Sequence, residues 1–229
     1  LKYFFDIDPG HQAFLILKEV DSMDFIESQS LQLIKTVLDH YSLPDYGRFL
    51  VERAVHATAD FSIASLFVIQ PGFIETSTNK IETGSEIYCD TEMVSSGISP
   101  RLLQQCGIKL TVFVHQQECY ARAQRDNITR SEAAVDLSCE KNIRKFIFGN
   151  APTGLLRLVQ HINQGYRADF VIGMPVGFIS AAISKKQLLQ TGVPAFVLSG
   201  PRGGSSIAAS VFNALLKKKL EENGMEIIR

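Results

Sequence analysis

The sequence predicts an α/β protein, a parallel sheet of five strands covered by helices on both faces behind a mainly helical N-terminal arm. Three observations predict it. Short runs rich in β-branched and aromatic residues recur from Glu86 onward, each run ends in a turn of small residues, and each turn leads into apolar residues at helical spacing. Lys145 to Val159 shows the grammar most plainly. Phe146 to Phe148 reads as a strand, Gly149-Asn150 as the break, and Leu155, Leu156 and Val159 as the buried stripe of a helix. Pro152 suits that helix's first turn, where a missing N–H is no loss. The 229 residues read as one domain, 1–229, with an arm over 1–85 and a doubly wound core over 86–222.

Along the arm, Asp8-Pro9 opens a segment carrying Phe14, Ile16, Leu17 and Val20. Ser28 or Ser30 is placed to cap a second helix through Leu38, and Leu43-Pro44 breaks it before a third from about Asp45 to Val55. Phe61 to Ile69 is apolar, and Gly72 to Lys80 is polar and ambiguous. The core strands then follow in order: Ile87 to Cys89, Lys109 to Val114, Phe146 to Phe148, Phe170 to Met174 and Ala195 to Leu198. Between them lie a helix after Ser99-Pro100, a polar region over 116–126, a helix opened by the capping-box pair Thr129 and Glu132, and a last helix from Ser205 to about Glu222. Right-handed crossovers and a strand order of 2-1-3-4-5 put the Phe146 strand mid-sheet. The turns at Asp90 and Gly149 then flank the switch point and line a ligand crevice, with free N–H groups where the strand meets the helix.

Composition narrows the function classes. Hydrophobic residues make up 45% and charged residues 21%, as in ordinary globular proteins. A net charge of −1 argues against a nucleic-acid partner, and no apolar run reaches the about 20 residues of a membrane span. Leu1 to Asp8 shows no signal-peptide pattern, and Cys89, Cys106, Cys119 and Cys139 form no Cys-x-x-Cys pair, so buried thiols in a reducing cytoplasm are expected.

Few residues stand out for chemistry. His56 sits at a helix end among small residues, at helical spacing from Phe49 and Arg53, and reads either as a capped structural histidine or as an acid–base group. The other histidines form no metal-ligand spacing, so no metal is expected. Arg130 occupies a helix's first turn, against the macrodipole, as a solvated or a functional arginine. The Gly200 to Ser205 turn is either a phosphate cradle, the basis of a nucleotide-binding reading, or a close strand–helix crossing; it lacks a P-loop pattern.

Taken together, these turns resemble the precorrin-8X methylmutase family of cobalamin biosynthesis. The matching pieces are Arg53-Ala-Val-His-Ala57 with Asp60, Cys89-Asp-Thr-Glu-Met-Val94 with Gly97-Ile98, and Thr129-Arg-Ser131 with Ala133-Ala134. They continue through Gly149-Asn-Ala-Pro-Thr153, Gly173-Met-Pro-Val-Gly-Phe178, Ala181-Ala182 with Ser184-Lys185, and Arg202-Gly-Gly-Ser205. The resemblance implies a three-layer, flavodoxin-like α/β/α fold and a homodimer. It implies an isomerase that moves a methyl group within pyrrole ring C of precorrin-8X or cobalt-precorrin-8, giving hydrogenobyrinate or cobyrinate without a cofactor. His56 matches the family's catalytic histidine. Ala13, Asp90, Met93, Thr129, Arg130, Asn150, Thr153 and Gly177 match its tetrapyrrole-binding segments. The chain departs at Ala13-Phe14, where the family carries Ser-Phe, and at Ile183-Ser184-Lys185, where it carries Glu-Ser-Lys. These departures motivate an alternative, a non-catalytic corrinoid carrier on the same scaffold.

Overall fold

The computed structural model describes residues 23–227. Ala13 and the first expected helix, with Phe14 to Val20, lie outside the described residues. The arm contains α1 (Met23–Leu38) and α2 (Arg48–Thr58), separated by a short 3-10 turn at Asp45–Gly47. Neither serine caps α1: the helix begins at Met23, and inside it Ser30 Oγ donates to Ile26 O at 2.8 Å. A serine facing its own helix backbone carries no boundary signal.

The sheet has six strands, not five. β1 (Phe67–Ile69) comes from the stretch assigned to the arm and runs antiparallel along the edge, with Val68 opposite Val197. Next come β2 (Glu86–Cys89), β3 (Lys109–Thr111), β4 (Lys145–Phe148), β5 (Phe170–Gly173) and β6 (Ala195–Leu198), all parallel. Across the sheet the order is β1-β6-β5-β4-β2-β3, so β4 lies inside and β1 covers the edge of β6. Three residues are too few for periodicity to declare a strand. The pairing is secured by the partner strand, with Gln70 N donating to Ala195 O at 2.9 Å and Phe67 stacking on Phe196 at 5.1 Å.

Helices cover both faces. On one side lie α2, α3 (Phe73–Lys80), α4 (Glu92–Ser96), α5 (Pro100–Cys106) and the long α10 (Ser205–Glu222); on the other lie α6 (Gln117–Asp126), α7 (Arg130–Glu140), α8 (Pro152–Asn163) and α9 (Ala181–Gln190). Alternation along each strand divides the core accordingly. Ile87, Ile147, Ile172 and Phe196 pack toward α10, while Tyr88, Phe146, Phe148, Val171 and Val197 pack toward α7 and α8. α6 forms where the sequence shows only a polar region; Cys119 is its one buried residue, so its sequence reads as surface throughout.

Two turns meet backbone to backbone. A Cβ on Gly203 would lie 2.2 Å from Met174 O, and one on Gly149 would lie 2.7 Å from Ser205 Cα. The last turn's glycine therefore serves a close crossing over the end of β5, tied by Gly204 N donating to Met174 O at 2.9 Å. Gly203→Ala should force these backbones apart and lower stability by roughly 1–3 kcal/mol, read as a lower urea midpoint at unchanged slope.

Candidate active site

The turns at the carboxyl ends of the parallel strands are organised by Asp90, the residue after β2. Its Oδ1 accepts from Gly149 N at 3.1 Å, and its Oδ2 accepts from Asn150 N and Ala151 N, each at 2.7 Å. Asp90 is 1% exposed. Burial pushes its carboxyl pKa up, and the N–H donors pull it back toward the ionised form. This corrects one expectation: the N–H groups of the strand-to-helix turn are not free for a ligand, because Asp90 holds that turn with both of its oxygens. A carboxylate on the first turn of α8 is also where the helix macrodipole favours one. Asn150 and Met93 flank this anchor and are exposed, as a ligand contact requires.

Thr129 and Arg130 approach from α7. Thr129 forms the expected capping box: its hydroxyl accepts from Glu132 N at 3.2 Å, its backbone N–H donates to Glu132 Oε2 at 2.8 Å, and the hydroxyl donates to the same oxygen at 2.7 Å. That hydroxyl also lies 3.2 Å from Thr153 Oγ1 on α8, which brings the two candidate threonines together. Arg130 is exposed, and Nη1 donates to Tyr120 OH at 2.7 Å. Gly177, at φ 152°, donates its N–H to Pro201 O at 3.0 Å, and a Cβ there would lie 3.8 Å from Pro152 Cγ. The rim beside it is apolar: Phe178 is 99% exposed and Ile179 90%. One edge of the sheet thus presents uncovered apolar side chains, threonine hydroxyls and an arginine with no ion-pair partner among the described residues.

His56 is brought toward this edge by its helix. α2 lies along α10, with Ser210 Oγ donating to Arg53 O at 2.8 Å. Beyond the end of α2, Arg202 Nη1 donates to Ser62 Oγ at 2.6 Å and pairs with Asp60 at 3.3 Å. His56 lies in the chain between those two ties, exposed, its imidazole without a hydrogen bond among the described residues. Asp60 also accepts from Ser62 Oγ, which holds its pKa below the usual carboxylate range.

Lys185 is the positioning residue that sequence reasoning left without a role. It is 1% exposed on α9, and Nζ donates to Leu198 O at 2.7 Å and Arg202 O at 2.6 Å, clamping both ends of the last turn. A lysine at a helical core position was the available signal. Among the described residues no three His, Cys, Asp or Glu side chains gather as a metal site. A cavity of about 430 Å³ lies elsewhere, between α6, α7 and α8. Its arginines are matched by acids: Arg157 grips Asp136 at 2.7 and 2.9 Å, and Arg122 grips Glu140 at 2.6 and 2.8 Å. It therefore offers closed ion pairs rather than chemistry.

Two expectations follow. In Asp90→Asn a single amide oxygen cannot serve all three N–H groups, so the variant should lose roughly 1–3 kcal/mol in urea unfolding. For Lys185, burial lowers the pKa from 10.5 to about 8. Below pH 8 the amine is protonated in both folded and unfolded chains; between about 8 and 10.5 only the unfolded chain keeps the proton, so stability rises with pH. Across that window the stability gap between the wild type and Lys185→Met should widen by on the order of 3 kcal/mol, measured from urea midpoints at each pH.

Comparison with known proteins agrees with the motifs gathered at this edge. The precorrin-8X methylmutase family profile matches residues 25–218. The chain is 37% identical over 201 residues to the cobalt-precorrin-8 methylmutase of Salmonella typhimurium, covering 83% of this chain and 93% of that one. It is 31% identical over 199 residues to the precorrin-8X methylmutase of a Sinorhizobium species, covering 85% and 94%. The crystal structure of the Thermus thermophilus precorrin-8X methylmutase superposes with a TM-score of 0.82 at 32% identity, over 90% of this chain and 100% of that one. With its fold, its turn motifs and its sequence matched along most of its length, this chain belongs to the precorrin-8X methylmutase family.

Proposed function

We propose that the protein is the isomerase of corrin biosynthesis that moves a methyl group between neighbouring carbons of ring C in precorrin-8X or its cobalt form. The observation that carries this is the family match over residues 25–218, together with the family's turn motifs meeting at one sheet edge. The methyl leaves one ring carbon as it bonds to the next, so no atom is lost, no electron is exchanged and no cofactor is consumed. His56 protonates or hydrogen-bonds the macrocycle beside ring C and so assists migration. An imidazole suits this because its two ring nitrogens can donate and accept a proton or hydrogen bond.

The remaining residues hold and orient the ring. Met93, Gly177 and the uncovered apolar rim pack against its faces. Asn150 and Thr153 offer side-chain hydrogen bonds, Thr129 orients the Thr153 hydroxyl beside it, and Arg130 takes a peripheral carboxylate. Asp90 acts one step removed, by fixing the turn that carries Asn150 and Thr153. Ala13, matched to the family's binding segments by resemblance, lies outside the described residues. The order of the five parallel strands supports a flavodoxin-like classification with β1 as an addition. We take the whole chain as one domain that works in the cytoplasm as a homodimer. The carrier alternative has no observation of its own: Ile183, one of its two grounds, is an exposed residue of α9.

Because His56 is exposed, His56→Ala should leave the fold intact. It should lower conversion of precorrin-8X and cobalt-precorrin-8 by about 100-fold or more while the coloured product still binds. Wild-type turnover by this variant would show that the imidazole does not do the chemistry.

A further inference from the structure

Arg130 is held in a way that a merely solvated arginine is not. Its carbonyl oxygen accepts from Cys119 Sγ at 3.1 Å, and its guanidinium is bound by the next residue of α6, Tyr120. The phenol oxygen takes one guanidinium N–H at 2.7 Å, and the guanidinium carbon lies 5.0 Å from the centre of the tyrosine ring. α6 thus fixes this arginine at its backbone and at its head group. The other arginines on α6 and α8 contrast with it: Arg122, Arg125 and Arg157 each end on a carboxylate. Arg130 ends on a neutral group that leaves its charge uncompensated. Of five N–H donors, one is spent on the phenol and the others remain for a ligand.

We propose that Tyr120 is a positioning residue for substrate recognition. It pre-orders the Arg130 guanidinium, by a hydrogen bond and a cation–π contact, to receive a carboxylate at the periphery of the macrocycle. An unrestrained arginine side chain would lose its rotamer freedom when the substrate binds; one already docked on a phenol loses less of it, and its charge is not quenched in the meantime. A carboxylate of the chain in the same place would dock the guanidinium equally well but compete with the ligand. The tyrosine orients without competing. This inference rests on the reading that Arg130 binds a substrate carboxylate.

The test is a double-mutant cycle on the full chain, read as affinity for the isolated hydrogenobyrinate product, with KM and kcat from turnover of precorrin-8X. Tyr120 is 45% exposed, so its replacement is tolerated by the fold, and thermal melts check this. Tyr120→Leu should weaken product binding by about 3–10-fold, with the rise in KM larger than the fall in kcat. Tyr120→Phe, which keeps the ring and loses the hydroxyl, should fall between Leu and wild type. In an Arg130→Ala background, Tyr120→Leu should add nothing. Equal losses in both backgrounds would show that Tyr120 acts independently of Arg130, and would overturn the proposal. A loss from Arg130→Ala with none from Tyr120→Leu would overturn it while sparing the reading of Arg130. No loss of affinity from Arg130→Ala would overturn that reading, and leave Tyr120 nothing to position.

Discussion

The site edge depends on one buried carboxylate. Asp90 leaves β2 and ties together three consecutive N–H groups at the junction of β4 and α8. That junction lies where the chain's direction of progress across the sheet reverses, the place where open α/β sheets leave a crevice. Backbone pairing runs out just past this point, with Asp90 N donating to Ile147 O at 3.1 Å and Met174 N to Phe148 O at 2.8 Å. The carboxylate extends that pairing into the turn with three charge-assisted hydrogen bonds, each stronger than a neutral one. Gly149 answers the same constraint sterically, since the start of α10 lies too close for a side chain there.

A second set of ties fixes the arm to this edge. Lys185 reaches from α9 beneath the last turn and clamps the carbonyls of Leu198 and Arg202. The Arg202 side chain then extends over the outside to Asp60 and Ser62, just past the helix that carries His56. Ser210 holds the same helix from α10 through the carbonyl of Arg53. The path from a buried amine to the candidate histidine's helix thus runs through hydrogen bonds whose partners are far apart in sequence. β1 adds a covalent route, because the chain leaving α2 and passing Asp60 goes straight into the sheet.

What the sequence disclosed, and what it hid, follows from the range of each interaction. β2, β4, β5, β6 and α10 were legible because their signals are local: apolar runs, a small-residue turn, a leucine stripe. The Thr129 and Glu132 capping box was legible for the same reason. α6 was hidden because one buried cysteine gives no stripe, and β1 because its identity lies in its partner β6. The motifs at the site edge could be named through resemblance, but the work of Asp90 could not be read from them. Its partners are main-chain N–H groups about sixty residues away, at Gly149 to Ala151, and no residue type advertises a main-chain donor. Lys185 was hidden likewise, since it serves two carbonyls.

The closed N–H groups bear on how a polyacidic ring would be read. A helix start with free donors attracts carboxylates to itself. Placed at the middle of the crevice, it would draw a peripheral carboxylate of the substrate inward and let the ring bind in several rotations. Asp90 removes that attraction by filling the position with a carboxylate of the chain's own. The uncompensated charge is moved outward to Arg130, on a different helix and held by Tyr120. On the proposed reading, the centre is left to apolar side chains and hydroxyls that would grip the ring without preferring an acid. For a methyl shift that changes no oxidation state and consumes no partner, orientation of the ring supplies much of the catalysis. On the proposed reading, a centre without free charge and a cation at its margin would impose that orientation, because the ring body would bind in the middle and its acids only at the edge.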